Sequence, residues 1–276
     1  MSATFLLEPL WKIPVPRILT LVNDAFSDYN VPIHFDETSF SSFLVSAGVS
    51  WHWSRLLTLD GDPIGFTFIG RRGWNSRLVA MGILANHRNC GYGSQALEQI
   101  IHETRARGDH HLELEVITSN APAVHLYQKF GFRILQDLYG FQRPAGKAGA
   151  VGPLEEVDIR SIAHLIAAYG APDLPWQLSA ETIACYGPPM KAFHLDGAYA
   201  VISDPSRTVI ALMSLIVEPE QRGTGRARAL LRSLFSRYSK NEFNIHALCP
   251  AMFEQLLTSV GFERTELNQH HMRLEL

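Results

Sequence analysis

A repetition restricts this chain more than any other feature. Arg88-Asn89-Cys90-Gly91-Tyr92-Gly93 follows a short apolar run and opens an amphipathic stretch, and Arg222-Gly223-Thr224-Gly225-Arg226-Ala227 does the same 134 residues later. Each amphipathic stretch is followed by another that ends in Gly-Phe, at Gly131-Phe132 and at Gly261-Phe262. One architecture written twice predicts two domains, and 276 residues accommodate two of ordinary size. The stretch from Gln142 to Glu156, rich in small residues, glycine and proline, reads as the connection. The expected division is a first domain over 1–145, a linker over 146–154 and a second domain over 155–276.

Local patterns place the elements. Leu78 to Ala85 is a short apolar run of strand length, and Leu97, Ile100, Ile101 and Thr104 recur at helical spacing before a stop at Gly108. His111 to Ile117 alternates, with Leu112, Leu114 and Val116 on one face and Glu113 and Glu115 on the other. Asn120 and Pro122 open a helix that closes at Gly131. The second half predicts strands over 208–217 and 244–248 and helices over 225–240 and 252–260. Helices are expected over 16–29 and 157–169, and hairpins over 55–69 and 191–203, turned at Gly61 and Gly197. The fold class is α/β, a mixed sheet interrupted by helices in each half.

Composition removes several functions. The first 145 residues carry 12 basic and 13 acidic side chains and the rest 12 and 14, so no nucleic-acid or anionic-membrane partner is expected. No apolar run is long enough for a membrane span or a secretory signal. Cys90, Cys185 and Cys249 give neither a disulfide framework nor a zinc spacing, which points to a reducing cytoplasm. The adjacent pairs His110-His111 and His270-His271 point to opposite strand faces, so no metal is expected. Six cations between Arg222 and Lys240 alternate with leucines and read as the solvated face of a helix.

A strand that runs through a glycine turn into a helix collects unpaired amides and the positive end of a helix dipole at one point, where a phosphate can sit. GxGxxG and the Gly-Lys-Ser/Thr of triphosphate loops are both absent. Arg88-x-x-Gly91-x-Gly93, Leu114-Glu115-Val116 and Asn120-x-x-Ala123-x-x-Leu126-Tyr127-x-x-x-Gly131-Phe132 together resemble the GNAT superfamily of acyl-CoA-dependent N-acyltransferases, over residues 78–132. The chain is thus similar to a tandem of two GNAT-like domains, each a splayed mixed sheet flanked by helices.

The resemblance implies that Ile83, Leu84 and Ala85 hold the pantetheine of acetyl-CoA and that Arg88, Asn89, Cys90, Gly91, Tyr92, Gly93 and Ser94 bind its pyrophosphate, with Asn120 and Tyr127 beside it. It implies Tyr127 as the acid for the leaving thiolate. Glu115 stands as base, an arrangement similar to that of ribosomal-protein N-terminal acetyltransferases. Asn86-His87 departs from the proline-containing bend of many members. Trp51, Trp53, Phe26, Tyr29 and Phe35 fall where members build the acceptor pocket.

In the second half, alignment on Gly261-Phe262 sets Leu257 opposite Tyr127, Ile245 opposite Glu115 and Pro250 opposite Asn120, so the chemical positions are lost while the turn remains. Val217, Arg222, Gly223, Thr224, Gly225, Arg226 and Ala227 form a second candidate cofactor site. The resulting expectation is an N-acetyltransferase acting on a primary amine of a small molecule or peptide, as a monomer or homodimer, with chemistry in the first domain. Catalysis in the second domain, or a non-catalytic acyl-CoA-binding regulator, are the alternatives.

Overall fold

The computed structural model describes residues 4–29, 31, 33–146, 149 and 152–276. Residues 147, 148, 150 and 151 of the expected linker lie outside the described residues. The chain forms two compact units. One comprises Met1–Glu115, Asn120–Arg133 and Met272–Leu276, the other Val116–Ser119 and Ile134–His271. The expected division puts 134–145 with the first half and 272–276 with the second, whereas the compact units take these stretches the other way round.

In the first unit the elements run β1 (Phe5–Pro9), α1 (Val15–Ala25), α2 (Glu37–Ser46), β2 (Arg55–Leu59), β3 (Asp62–Arg72), β4 (Asn75–Ile83), α3 (Tyr92–Ala106), β5 (His111–Ile117) and α4 (Ala121–Lys129). Strands β1 to β4 pair in sequence order and antiparallel, and β4 pairs with β5 in parallel. The alternation of β2 and β3 sets the two faces. Leu56, Phe66 and Phe68 pack with Ile18, Leu21, Val22 and Ala25 of α1 and Phe40 and Leu44 of α2. Leu57 and Ile64 pack on the opposite face with Ala96 of α3. Burying Phe66 and Phe68 completely contributes about 1.5–3 kcal/mol each. The N-terminus of α2 is fixed by a capping box in which Asp36 accepts from the Ser39 amide and Ser39 Oγ accepts from the Asp36 amide.

The parallel pair is short. Asn75, Ser76 and Arg77 oppose His111, Leu112 and Glu113, and the pairing then stops, although β4 continues to Ile83. The sheet therefore opens between the two central strands, as expected.

The second unit carries β6 (Arg133–Arg143), β7 (Glu155–Val157), α5 (Ile159–Tyr169), α6 (Ala180–Ala184), β8 (Lys191–Leu195), β9 (Ala198–Ile202), β10 (Val209–Val217), α7 (Arg226–Arg237), β11 (Glu242–Pro250), α8 (Glu254–Thr258) and most of β12 (Glu263–Glu275). It repeats the plan. Strands β10 and β11 pair in parallel at Val209, Ile210 and Ala211 only, although β10 runs on to Val217. Leu230, Leu231, Leu234 and Phe235 of α7 pack on one sheet face, and Ile159, Ile162, Ala163 and Ile166 of α5 on the other.

The last five residues belong to the first unit through specific contacts. The Leu276 amide donates to the His110 carbonyl at 2.9 Å, Arg273 Nε donates to Glu113 at 2.8 Å, and Leu274 lies against Gly131. Leu274 is buried, so Leu274→Ala should cost about 2–4 kcal/mol by cavity formation. Hydrogen exchange should show that loss at amides 111–115 and 127–132, more than 100 positions away in sequence.

Candidate functional site

The residues after β4 form a 3-10 turn over Ala85–His87, and α3 then starts at Tyr92 with Gly91 as its N-cap. Gly91 has φ +87° and Asn89 has φ +60°, the left-handed region that glycine and asparagine enter most readily. In the second unit Gly223 and Gly225, at φ +77° and +87°, occupy the same two places. An asparagine in one turn and a glycine in the other thus answer one backbone requirement.

Neither N-cap supplies a side-chain acceptor. Among the described residues no carbonyl accepts from the amides of Asn89 to Gly93, or from those of Gly223 to Ala227. These are the orphan donors of a helix N-terminus, and a helix normally satisfies them with a capping side chain, water or an anion. There is open space beside these glycines. A Cβ built on Gly223 or Gly225 would meet nothing within 4 Å, and one on Gly91 would approach only the Gln95 amide at 4.0 Å.

Ile83 ends β4, Leu84 and Ala85 begin the turn, and Tyr92 stacks on Phe5 with ring centres 5.0 Å apart. Cys90 is exposed and directs its thiol to the Arg88 carbonyl. Asn120 caps α4 by accepting from the Ala123 amide at 3.3 Å. Tyr127 sits one turn further along, 8% exposed, with its ring 5.7 Å from that of Phe132. Burial, reinforced by nearby Tyr29, pushes its phenol well above the ordinary tyrosine pKa, so the hydroxyl stays protonated.

Two expectations change. Glu115 was expected as a base, yet it is committed to an ion pair in which Arg77 Nε donates to it at 2.7 Å and both side chains are almost wholly buried. The carboxylate oxygen therefore already has a guanidinium partner. The Arg88 side chain was expected on the phosphate. Its Nε donates to the Ile83 carbonyl and its terminal nitrogens to Ala25 and Asp28, so the turn's own contribution at this residue is backbone.

The alignment of the halves also shifts. Asn75 opposes His111 and Val209 opposes Glu242, which sets His246, and not Ile245, in the place of Glu115. Counting back from Gly261 displaces the strand by one residue, which exchanges its faces. Leu257 does correspond to Tyr127, since the Phe132 amide donates to the Tyr127 carbonyl and the Phe262 amide to the Leu257 carbonyl, both at 3.1 Å.

The second unit holds a cavity of about 580 Å³ that runs from the amides of Gly223 and Gly225 past Leu212, Leu215 and Ile245 to Cys249 and Leu257. Burial pushes the Cys249 thiol up to about 12, so it stays a thiol and is no nucleophile. Among the described residues there is no cluster of three His, Cys, Asp or Glu able to hold a metal, and no helix long and apolar enough to cross a membrane. The aromatic residues considered for the acceptor are largely packed: Phe26 on Phe66, Phe35 on Phe40 and Phe43, and Trp53 under the Arg107 guanidinium at 4.3 Å.

Residues 16–132 match the acetyltransferase (GNAT) family. Over this stretch, which is less than half of the chain, the sequence is similar to that family. Within curated proteins, the streptothricin acetyltransferase of Streptomyces lavendulae is 39% identical over 75 residues, which are 26% of this chain and 40% of that protein. The chain thus spans less than half the length of that relative. A GCN5-related N-acetyltransferase from Sphaerobacter thermophilus has the same fold over 98% of this chain and 95% of its own, with TM-score 0.70 and 14% identity. A putative acetyltransferase from Pyrococcus horikoshii follows with TM-score 0.66, 15% identity, and 99% and 89% coverage. At such identities the likeness is one of fold. The glycine turn in the first unit and its counterpart in the second are built alike, and they differ in the side chains around them.

The ion pair gives a test. Glu115→Gln should lower stability by about 2–4 kcal/mol, because a buried guanidinium loses its carboxylate. The acidic limb of the pH–rate profile of the remaining folded protein should not move, as it would if Glu115 were the base.

Proposed function

We propose that this protein is an N-acetyltransferase that moves the acetyl group of acetyl-CoA to a primary amine of a small molecule or peptide, with the chemistry in the first unit. The observation that carries this reading is the buried, protonated Tyr127 phenol in the same unit as an uncapped glycine turn whose amides have no acceptor. Bound acetyl-CoA would supply the thioester whose carbonyl carbon the amine attacks. The amides of Asn89 to Gly93 would hold the pyrophosphate, and the edge of β4 at Ile83, freed where β5 turns away, would take the pantetheine amides. Tyr127 would donate its proton to the departing thiolate. With Glu115 tied to Arg77, the amine would lose its proton to water. The three cysteines are free, in keeping with work in a reducing cytoplasm.

A second reading concerns the other unit. Its cavity and its turn favour a bound CoA-type ligand, while Leu257 in place of the phenol leaves nothing to protonate a thiolate. In this unit the ligand would be held and not turned over. Val217, Arg222, Gly223, Thr224, Gly225, Arg226 and Ala227 would form its phosphate end.

Release of free thiol from acetyl-CoA in the presence of a panel of amines tests the activity. Tyr127→Phe should lower turnover at least about 100-fold, with CoA affinity unchanged. Because burial raises the phenol's pKa, its acid form persists above the usual tyrosine value of about 10, and the native rate should show no alkaline fall from Tyr127 below that pH. A β-branched residue is strained at φ +87°, so Gly91→Val should abolish turnover; loss of turnover from Gly225→Val alone would move the chemistry to the second unit.

A further inference from the structure

Each turn begins with an arginine whose side chain is directed back into the protein. Arg88 Nε donates to the carbonyl of Ile83 at 2.9 Å and its Nη2 to the carbonyl of Ala25 at 2.9 Å. Arg222 Nε donates to the carbonyl of Val217 at 3.1 Å and its Nη2 to the carbonyl of Tyr169. Ile83 and Val217 are the last residues of β4 and β10, and Ala25 and Tyr169 the last of α1 and α5. The same clasp is thus made twice from different surroundings. It supplies a cation to the orphan carbonyl at a helix C-terminus, where the dipole favours one, and ties that helix end to the strand that feeds the turn.

The first unit adds a carboxylate to the clasp. Asp28, three residues past the end of α1, accepts from Arg88 Nη1 at 2.6 Å and from Nη2 at 2.8 Å, a two-pronged geometry that fixes orientation as well as distance. The corresponding place after α5 is Pro172, which has no side-chain acceptor. The hydrogen bonds from Arg88 hold the Asp28 carboxyl below the usual carboxylate range. The two side chains are 37% and 52% exposed, and ion pairs so open to water contribute little to stability. What the pair does is geometric. The next residue, Tyr29, leans edge-on against Phe26, whose ring in turn meets Phe66 of β3.

We propose that Asp28 is a positioning residue: its fork on Arg88 fixes the segment after α1, with Phe26 and Tyr29, to the first residue of the glycine turn, so that CoA binding at the turn also orders that segment. The inference rests on the reading of the first turn as a CoA site. Coupling of this kind is carried by a short rigid path, Arg88 at one end and the α1 terminus at the other, and does not require the ligand to touch Asp28.

Hydrogen exchange of the full-length protein with and without CoA tests it. In the native protein CoA should slow exchange at residues 89–93 and also at 26–29. In Asp28→Asn the slowing at 89–93 should persist and that at 26–29 should vanish, with CoA affinity reduced about fivefold and the melting temperature within about 2 °C of native. Asp28→Glu should restore part of the slowing, which a side chain of merely structural value would not do. Equal slowing at 26–29 in Asp28→Asn, or slowing of the native protein at 89–93 alone, overturns the proposal. Slowing at neither segment of the native protein removes the CoA reading of the turn, and the coupling falls with it.

Discussion

Two parallel strands that part after three residue pairs impose the conditions everything else meets. Once β4 leaves β5 beyond Arg77 and Glu113, its backbone has donors and acceptors with no neighbouring strand to satisfy them on that side. An open edge in the middle of a sheet is a liability unless a ligand or a side chain answers it. At the start of the opening Arg77, which opposes Glu113 at the last paired position, reaches across to the Glu115 carboxylate two residues further on. The rest of the edge leads into the glycine turn, where left-handed residues bring the chain round into a helix that carries no cap. Strand parting, turn and uncapped helix are one device, because each leaves polar backbone that the next does not satisfy.

The parts of this device that depend on backbone conformation were legible in the sequence. Gly91, Gly93, Gly223 and Gly225 mark the turns, the alternation of His111 to Ile117 marks the strand, and Gly131-Phe132 marks the helix stop. What could not be read is side-chain pairing across the sheet. Nothing in Leu114-Glu115-Val116 says that Arg77, 38 positions earlier, will meet the carboxylate. The missed elements share a cause. Strand β12 reads ERTELNQHHMRLE, with no sustained apolar alternation, and α2 reads ETSFSSFLVS, with only Phe40 and Leu44 buried. Tertiary partners, and not local pattern, decide such segments.

The two units show which features the architecture demands and which the chemistry demands. Burial along β4 and along β10 follows the same order residue by residue, and the arginine clasp, the left-handed pair and the short parallel ladder all recur. These are the features that shape the opening. The differences lie in side chains around the opening: a phenol against Leu257, a carboxylate fork against Pro172, a paired Glu115 against His246. One unit has a buried phenol where the other has a leucine beside a cavity.

A copy with leucine in place of the phenol would be free to decay if each half of the sequence built its own domain. The compact units do not allow that, since Ile134 to Arg143 counts with the second and Met272 to Leu276 with the first. Removing the sequence after 145 would take Leu274, Arg273 and Leu276 from their places beside Gly131, Glu113 and His110, and would leave β6 without β11, to which it pairs at Phe141 and Phe243 and their neighbours. Each half therefore supplies a strand that the other half's unit needs, and the second copy contributes to folding the first whatever its own ligand does.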